Sequence, residues 1–307
     1  MSRHIYAIGN NTNRKNAANK EIKPIERESN GENTMSRQIL LINDLAGYGK
    51  VALSAMIPVL SHMGHHLYNL PTALVSNTLD YGKFDILETT DYMKNTLSVW
   101  GELGFSFDAI STGFIVSAEQ TRLVADYCRE QSKKGTKIFA DPVMGDEGHL
   151  YNGVTEQTVA YMRELVSVAD VIVPNYTEAV YLADMPYQEA GITQEEAAQL
   201  LQKLRKIGAK SVVVTSAKVE GVDAVIGYDC ETNQDFLLPF TIVPVRFPGT
   251  GDIFSAVLMG KVLDGASLED STQKAMDAVK EMIVKNQDNA DKFKGIPVET
   301  CLEILEG

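Results

Sequence analysis

"RQILLINDLAGYGKVALSAMIPVLSHM", residues 37–63, predicts a strand, a glycine-bearing loop and a helix in succession. Within the strand 38–42, residues 39–42 are apolar without alternation, as in a strand covered on both faces. Residues 51–63 then follow with helical apolar spacing. The same alternation recurs along the chain, with strands predicted at 67–75, 108–111, 137–140, 171–173 and 211–215. Between them lie helical patterns over 84–102, 118–134, 155–167, 176–183 and 194–207. Strands alternating with helices of this length predict a three-layer α/β fold, a mostly parallel central sheet with helices on both faces. After residue 215 the pattern changes. "GVDAVIGYD" (221–229) and "QDFLLPFTIVPV" (234–245) read as antiparallel strands, and closing helices start at Gly251, Ser267 and Val298.

No linker or repeat divides residues 35–307, so one domain is expected there. Residues 1–34 are rich in Asn, Lys and Glu and poor in apolar side chains, which predicts a disordered N-terminal extension. Met35 could serve as a second start site.

The chain has 307 residues, 44% hydrophobic and 22% charged, with a net charge of −13. Such a surface repels phosphate backbones and argues against a nucleic-acid partner. No stretch reaches the roughly 18 apolar residues of a membrane span. Cys128, Cys230 and Cys301 form no CxxC pair and read as free thiols of a reducing, cytoplasmic compartment. His62, His65 and His66 lie near one another, without the Cys or second His pair that a zinc site needs.

In open parallel sheets, ligands bind beyond the carboxyl ends of the strands. The segments at those ends are "NDLAGYGK", "SNTLDYGKF", "STGF", "DPVMGDEGHLYNG", "PNYTEA" and "TSAK", each polar or glycine-bearing. They contain neither a Walker loop nor GxGxxG, which argues against a P-loop enzyme and a nicotinamide dehydrogenase. "RFPGTGDIFSAVLMG" (246–260) offers another phosphate site. Gly249, Thr250 and Gly251 can turn tightly and aim backbone N–H groups at one point, and the helix that follows adds its N-terminal amides. Asp252 beside them admits two readings. It can cap the helix, or it can take the proton of an alcohol attacking a bound phosphoryl group.

"PGTGD" resembles the anion-hole motif of the ribokinase superfamily. "DPVMGDEGHLY" resembles the stretch that marks its pyridoxal (vitamin B6) kinase branch, "VPNYTEA" that branch's TPNxxEA segment, and "SNTLDYG" its SNHTGY loop. "VVVTSA" is similar to its strand toward ATP. The resemblance runs in order from residue 35 to about residue 265 and implies a ribokinase-like fold, a B6 vitamer as alcohol, ATP as co-substrate and Mg2+. It leaves a monovalent cation open and implies a homodimer.

Carried over residue by residue, it makes Asp252 the base and Gly249, Thr250 and Gly251 the anion hole. It sets Asp141, Thr215 and Ser216 against the ATP phosphates and gives Asn175 and Glu178 to magnesium through water. Asn43, Ser76, Thr78 and Tyr81 are assigned to the alcohol. Simpler readings stay open for several of these. Asn175 and Glu178 have the spacing of a capping box, Asp141 before Pro142 could end a strand, Thr215 and Ser216 could be ordinary strand-end residues, and Asn43 could cap its loop.

The chain departs from the branch at Thr78-Leu79, where His-Thr is common, and at Asp80, where glycine is usual. "NDLAGYGK" also resembles the first loop of hydroxymethylpyrimidine kinases, although those relatives often read GTGC where this chain reads GTGD. The expected activity is phosphorylation of pyridoxal, pyridoxine or pyridoxamine. A hydroxymethylpyrimidine kinase, a sugar kinase and a non-catalytic B6- or nucleotide-binding protein are the alternatives.

Overall fold

The computed structural model describes residues 36–151 and 154–306. The predicted N-terminal extension and the boundary at Met35 lie outside the described residues.

The chain runs β1 (Gln38–Ala46), α1 (Leu53–His62), β2 (His66–Val75), β3 (Ile86–Glu88), α2 (Thr90–Glu102), β4 (Ala109–Thr112) and α3 (Ala118–Ser132). It continues through β5 (Lys137–Ala140), β6 (Gly145–Asp146), β7 (His149–Leu150), α4 (Glu156–Val166), β8 (Val171–Ile172), α5 (Tyr176–Ala183) and α6 (Gln194–Ile207). It closes with β9 (Ser211–Val219), β10 (Val222–Asp229), β11 (Gln234–Pro239), α7 (Thr250–Leu263) and α8 (Leu268–Asn286). Nine strands form one sheet in the order β11-β10-β9-β8-β5-β4-β1-β2-β3. The pairs from β2 through β9 are parallel, while β3, β10 and β11 join antiparallel at the two edges. This is the predicted mostly parallel sheet, with antiparallel strands where the pattern changes after residue 215.

The two faces of the sheet bury separate layers. Leu40, Ile42, Ile110, Ile138 and Ile172 pack with α3, α4, α5 and α6. Ile39, Leu41, Phe139, Val171 and Val213 pack with α1, α7 and α8. Successive side chains of a strand point to opposite faces, so an unbroken apolar run such as 39–42 serves both layers. Helix α7 buries every residue from Ile253 to Gly260, which its all-round apolar sequence requires.

Local differences have physical reasons. The helix expected from 84 starts at Thr90, because Ile86–Glu88 instead pairs with the open edge of β2. Its buried face runs Thr90, Met93 and Leu97. Strand β11 stops at Pro239, where the chain loses a ladder donor. The helix expected from Val298 is two short 3-10 turns, Val298–Thr300 and Leu302–Glu306. The small β6–β7 hairpin, two residues a side, carries too little pattern to be read from sequence.

Candidate active site

Asp252 is half-buried in the first turn of α7. Its carboxylate does not cap α7, whose N-cap is Gly249 with no side-chain bond to the helix amides. It reaches across to the first βα unit instead. Oδ2 accepts from the Ala52 N–H at 2.7 Å and Oδ1 from Asn43 Nδ2 at 3.3 Å. Burial pushes its pKa up to about 6, while the bonds from Ala52 and Asn43 pull the other way. Ala52 itself stands at φ 49, ψ −132, a conformation rare outside glycine. Backbone held this way costs roughly 1–3 kcal/mol and must be enforced by its surroundings.

Two further acids face Asp252. The Asp44 carboxyl is pushed to about 7 by burial and then by the charge of Asp252. Asp141, past the end of β5, is likewise pushed to about 7 by burial and by Asp252, against a 3.1 Å bond from Ser255 Oγ on α7. Glu178 lies beyond Asp141, only 3% exposed. Burial and then the Asp141 charge hold its pKa well above the usual carboxylate range, while N–H groups of Met144, Asn175 and Gly145 oppose them.

The capping box read from the spacing of Asn175 and Glu178 is present, with Glu178 N–H donating to Asn175 Oδ1 and Asn175 N–H to Glu178 Oε2, both at 2.9 Å. Asn175 Nδ2 also donates to the Gly145 carbonyl at 2.8 Å, tying the β6–β7 hairpin to α5. The cap thus places the pair beside Asp141, so capping and a role in the site are one arrangement. Among the described residues, no group of three or more His, Cys, Asp or Glu side chains is arranged to hold a metal ion by itself.

The N–H groups of Thr250, Gly251 and Asp252 precede the first backbone bond of α7, Ile253 N–H to the Gly249 carbonyl at 3.1 Å. Helix geometry leaves such amides without an intrahelical partner and gives that end a partial positive charge. Gly249 starts the turn at φ 83. A Cβ there would lie 2.0 Å from the Lys50 carbonyl oxygen, so the turn is packed directly on the loop before α1.

Thr215 pairs with Asn175 through an isolated parallel bridge, and its N–H donates to the Pro174 carbonyl at 3.0 Å. Opposite β10, Thr215 and Ser216 occupy the space of one residue, because the register slips between Ala224 and Ile226. Ser216 takes up the bulge at φ 62. Bulges re-aim strand ends, and they are common beside active sites.

Asn43, Ser76, Thr78 and Tyr81 are differently placed. Asn43 is 4% exposed and faces Asp252. Thr78 is 2% exposed and donates its hydroxyl to the Phe293 carbonyl at 2.6 Å. Tyr81 donates to Asp291 Oδ2 at 2.6 Å and packs edge-on against Phe293. Ser76 accepts from the Asp85 N–H and donates to Asn77. Thr78 and Tyr81 hold the 76–85 loop against the segment 291–295, while Ser76 closes the loop on itself; the segment also accepts from Lys50 N–H through the Lys294 carbonyl. That segment, Ala52, Asp44 and Ser255 were not singled out from the sequence. The i,i+3 step from Asp252 to Ser255 was the only available signal among them.

The mostly parallel nine-stranded sheet with helices on both faces is that of a ribokinase-like kinase. The model of the phosphomethylpyrimidine kinase family matches residues 48–296. The pyridoxine/pyridoxal/pyridoxamine kinase of Bordetella avium (strain 197N) is 33% identical over 241 residues, 72% of this chain and 76% of its own. Among solved structures, a Bacteroides thetaiotaomicron protein described as a phosphomethylpyrimidine kinase, crystallised with pyridoxal, is 36% identical with a TM-score of 0.84, covering 89% of this chain and 96% of that one. The pyridoxal kinase of Lactobacillus plantarum is 27% identical with a TM-score of 0.78, over 88% and 96% of the two chains. The chain belongs to the phosphomethylpyrimidine kinase family, on its pyridoxal kinase branch.

Proposed function

We propose that this kinase transfers the γ-phosphoryl group of ATP to the hydroxymethyl group of pyridoxal, pyridoxine or pyridoxamine, in a reducing cytoplasmic compartment. The observation that carries the reading is Asp252, held by both carboxylate oxygens within the same first turn of α7 as the unbonded amides of 250–252. The amides receive the transferring phosphoryl, and Asp252 takes the proton of the incoming alcohol. Little covalent work is left to the protein in such a transfer, so positioning and charge stabilisation dominate.

The site suits magnesium. Two buried acidic groups with raised pKa values, Asp141 and Glu178, lie against each other with no basic side chain among the causes of their shifts. Mg2+ keeps several waters and takes one or two carboxylates plus substrate phosphates. Asn175 and Glu178 would hold it through water, with Asp141 facing the phosphates. When bound, it neutralises charge that develops on the phosphoryl oxygens. Thr215 and Ser216, aimed by their bulge, would contact the ATP phosphates.

A panel of pyridoxal, pyridoxine, pyridoxamine and hydroxymethylpyrimidine, each with MgATP in a coupled ADP-release assay, tests the proposal. A vitamer is expected to show the highest kcat/KM. Preference for hydroxymethylpyrimidine would favour the alternative suggested by the family description and the first loop, and binding without ADP release would mark a non-catalytic protein.

A homodimer is part of the proposal. Edge strand β3 exposes Ile86 and Leu87, and Leu74 and Tyr92 are exposed beside it. Open edges with apolar side chains invite pairing. Light scattering is expected to give twice the chain mass, falling to the single-chain mass in Leu87→Glu; wild-type protein at single-chain mass would overturn the dimer.

A further inference from the structure

The proposed mechanism gives Asn43 no part in the chemistry, yet its side chain is the most completely engaged polar group near the base. It sits on β1 just before the register shift against β2, between Asn43 and Leu45. Oδ1 accepts from two backbone N–H groups, Phe114 at 2.8 Å and Asp44 at 3.0 Å. Nδ2 donates to Asp252 Oδ1 at 3.3 Å and faces the Met56 sulfur at 3.7 Å. The amide orientation is therefore fixed by chemistry, since two donors face its oxygen and two acceptors its nitrogen. Gly113 lies flat against the same amide. A Cβ at that position would come within 2.4 Å of Nδ2 and 2.6 Å of Oδ1, so glycine is what lets the 113–114 turn close over Asn43.

We propose that Asn43 is a positioning residue for the base: with the Ala52 N–H it clamps Asp252 from both oxygens and ties the carboxylate to the ends of β1 and β4. This rests on Asp252 acting as base in the proposed transfer, and it replaces a contact between Asn43 and the alcohol. Both clamps are donors only, so they favour the ionised carboxylate, the form that can accept a proton. The groups opposing them are Asp44, on β1, and Asp141, beyond β5. One lone pair on each Asp252 oxygen stays available after the clamp is made, and holding the carboxylate in one orientation aims it at the alcohol.

Asn43→Asp keeps the shape but turns the donor into an acceptor facing Asp252. Asn43→Ser removes the reach. With the vitamer that the wild type uses best, both are expected to lower kcat by roughly 10- to 100-fold, as a misplaced catalytic group does, with KM within about twofold of wild type. The acid limb of kcat/KM is expected to move to higher pH in Asn43→Asp, and Asn43→Gln is expected to recover less than a tenth of the wild-type kcat because its longer arm disturbs the Gly113 turn. A rise in KM with kcat and the limb unchanged would overturn the proposal in favour of a substrate contact.

Carboxyl NMR of Asp-labelled protein, with the Asp252 signal assigned by its loss in Asp252→Asn, needs no turnover. The Asp252 titration should move upward in Asn43→Ser, and an unmoved midpoint would overturn the clamp. If the wild type phosphorylates none of the alcohols, the proposed activity fails while this titration still decides the clamp.

Discussion

Asp252→Asn is expected to lower kcat by about 10²–10⁴-fold, the contribution of a positioned general base, while the Kd for ATP stays near that of the wild type. The substitution changes almost no volume. The new Oδ1 can still accept from the Ala52 N–H, but the new NH2 must then face the NH2 of Asn43, now 3.3 Å from a carboxylate oxygen. One lost hydrogen bond costs about 1 kcal/mol, offset in part because the like charge that burdens Asp44 and Asp141 is gone. The fold should therefore survive, and a thermal melt checks that it does. Unfolding would not explain the lost turnover.

The same residue predicts the pH profile. A base must be unprotonated to act, and burial raises the Asp252 pKa to about 6 from the ordinary 3.8. In wild type, kcat/KM should fall as pH drops through about 6, and the limb should lie well above the range of a solvated aspartate. In Asp252→Asn the residual rate should lose that limb. A variant with wild-type kcat, or one that retains the limb, would take the base role away from Asp252. A purely structural Asp252 would instead show its loss in the melt and leave the limb in place.

The parts of this molecule legible in the sequence are those where one physical demand dominates. Helices α5 and α6 have their boundaries where the capping residues Asn175 and Thr193 announce them, each with a glutamate three residues on. The unbroken apolar run of β1 could only be a doubly covered strand. The turn at 249–251 was visible because two glycines before an apolar helix have few other uses. What stayed hidden depends on contacts between residues far apart in the chain. Nothing local to Asn43 says that its amide will meet a residue 209 positions away. Ala52 carries no side-chain signal at all, because its contribution is a backbone N–H held in a conformation that alanine does not favour. The segment 291–295 reads as an ordinary polar connection. Its carbonyls at Phe293 and Lys294 nonetheless fasten the 76–85 loop and the 47–50 loop to each other. The resemblance assigns Asn43 and Thr78 to the alcohol by position in the motif, and no local pattern announces the protein partners they also have, Asp252 for Asn43 and the Phe293 carbonyl for Thr78.

The Gly249 turn gives the second large effect. Gly249→Ala adds one methyl at a residue with φ 83, and that methyl would sit 2.0 Å from the Lys50 carbonyl oxygen and 3.1 Å from its carbon. The carbonyl has little room to retreat. Lys50 N–H is bonded to the Lys294 carbonyl at 2.8 Å, and Gly295 also packs against the Lys50 oxygen, where a Cβ would lie 2.7 Å away. The 249–252 turn must move instead. Left-handed backbone for a residue with a Cβ costs about 1–2 kcal/mol and an overpacked contact about 1–3 kcal/mol more. That is enough to lower the melting temperature measurably. A shift of the turn also moves the N–H groups of Thr250 and Gly251 off the point where the phosphoryl oxygens would lie, and losing one such donor lowers kcat by about 10²–10³-fold. Gly251→Ala is the matched control for stability, since its Cβ meets no atom within 4 Å and alanine favours the helix. Its melt should equal or exceed wild type, so that one methyl two residues along separates the packing demand at 249 from a general effect of replacing glycine. If Gly249→Ala kept both its melting temperature and its kcat, the turn would be neither rigid nor the anion site, and the transferring phosphoryl would have to be held elsewhere.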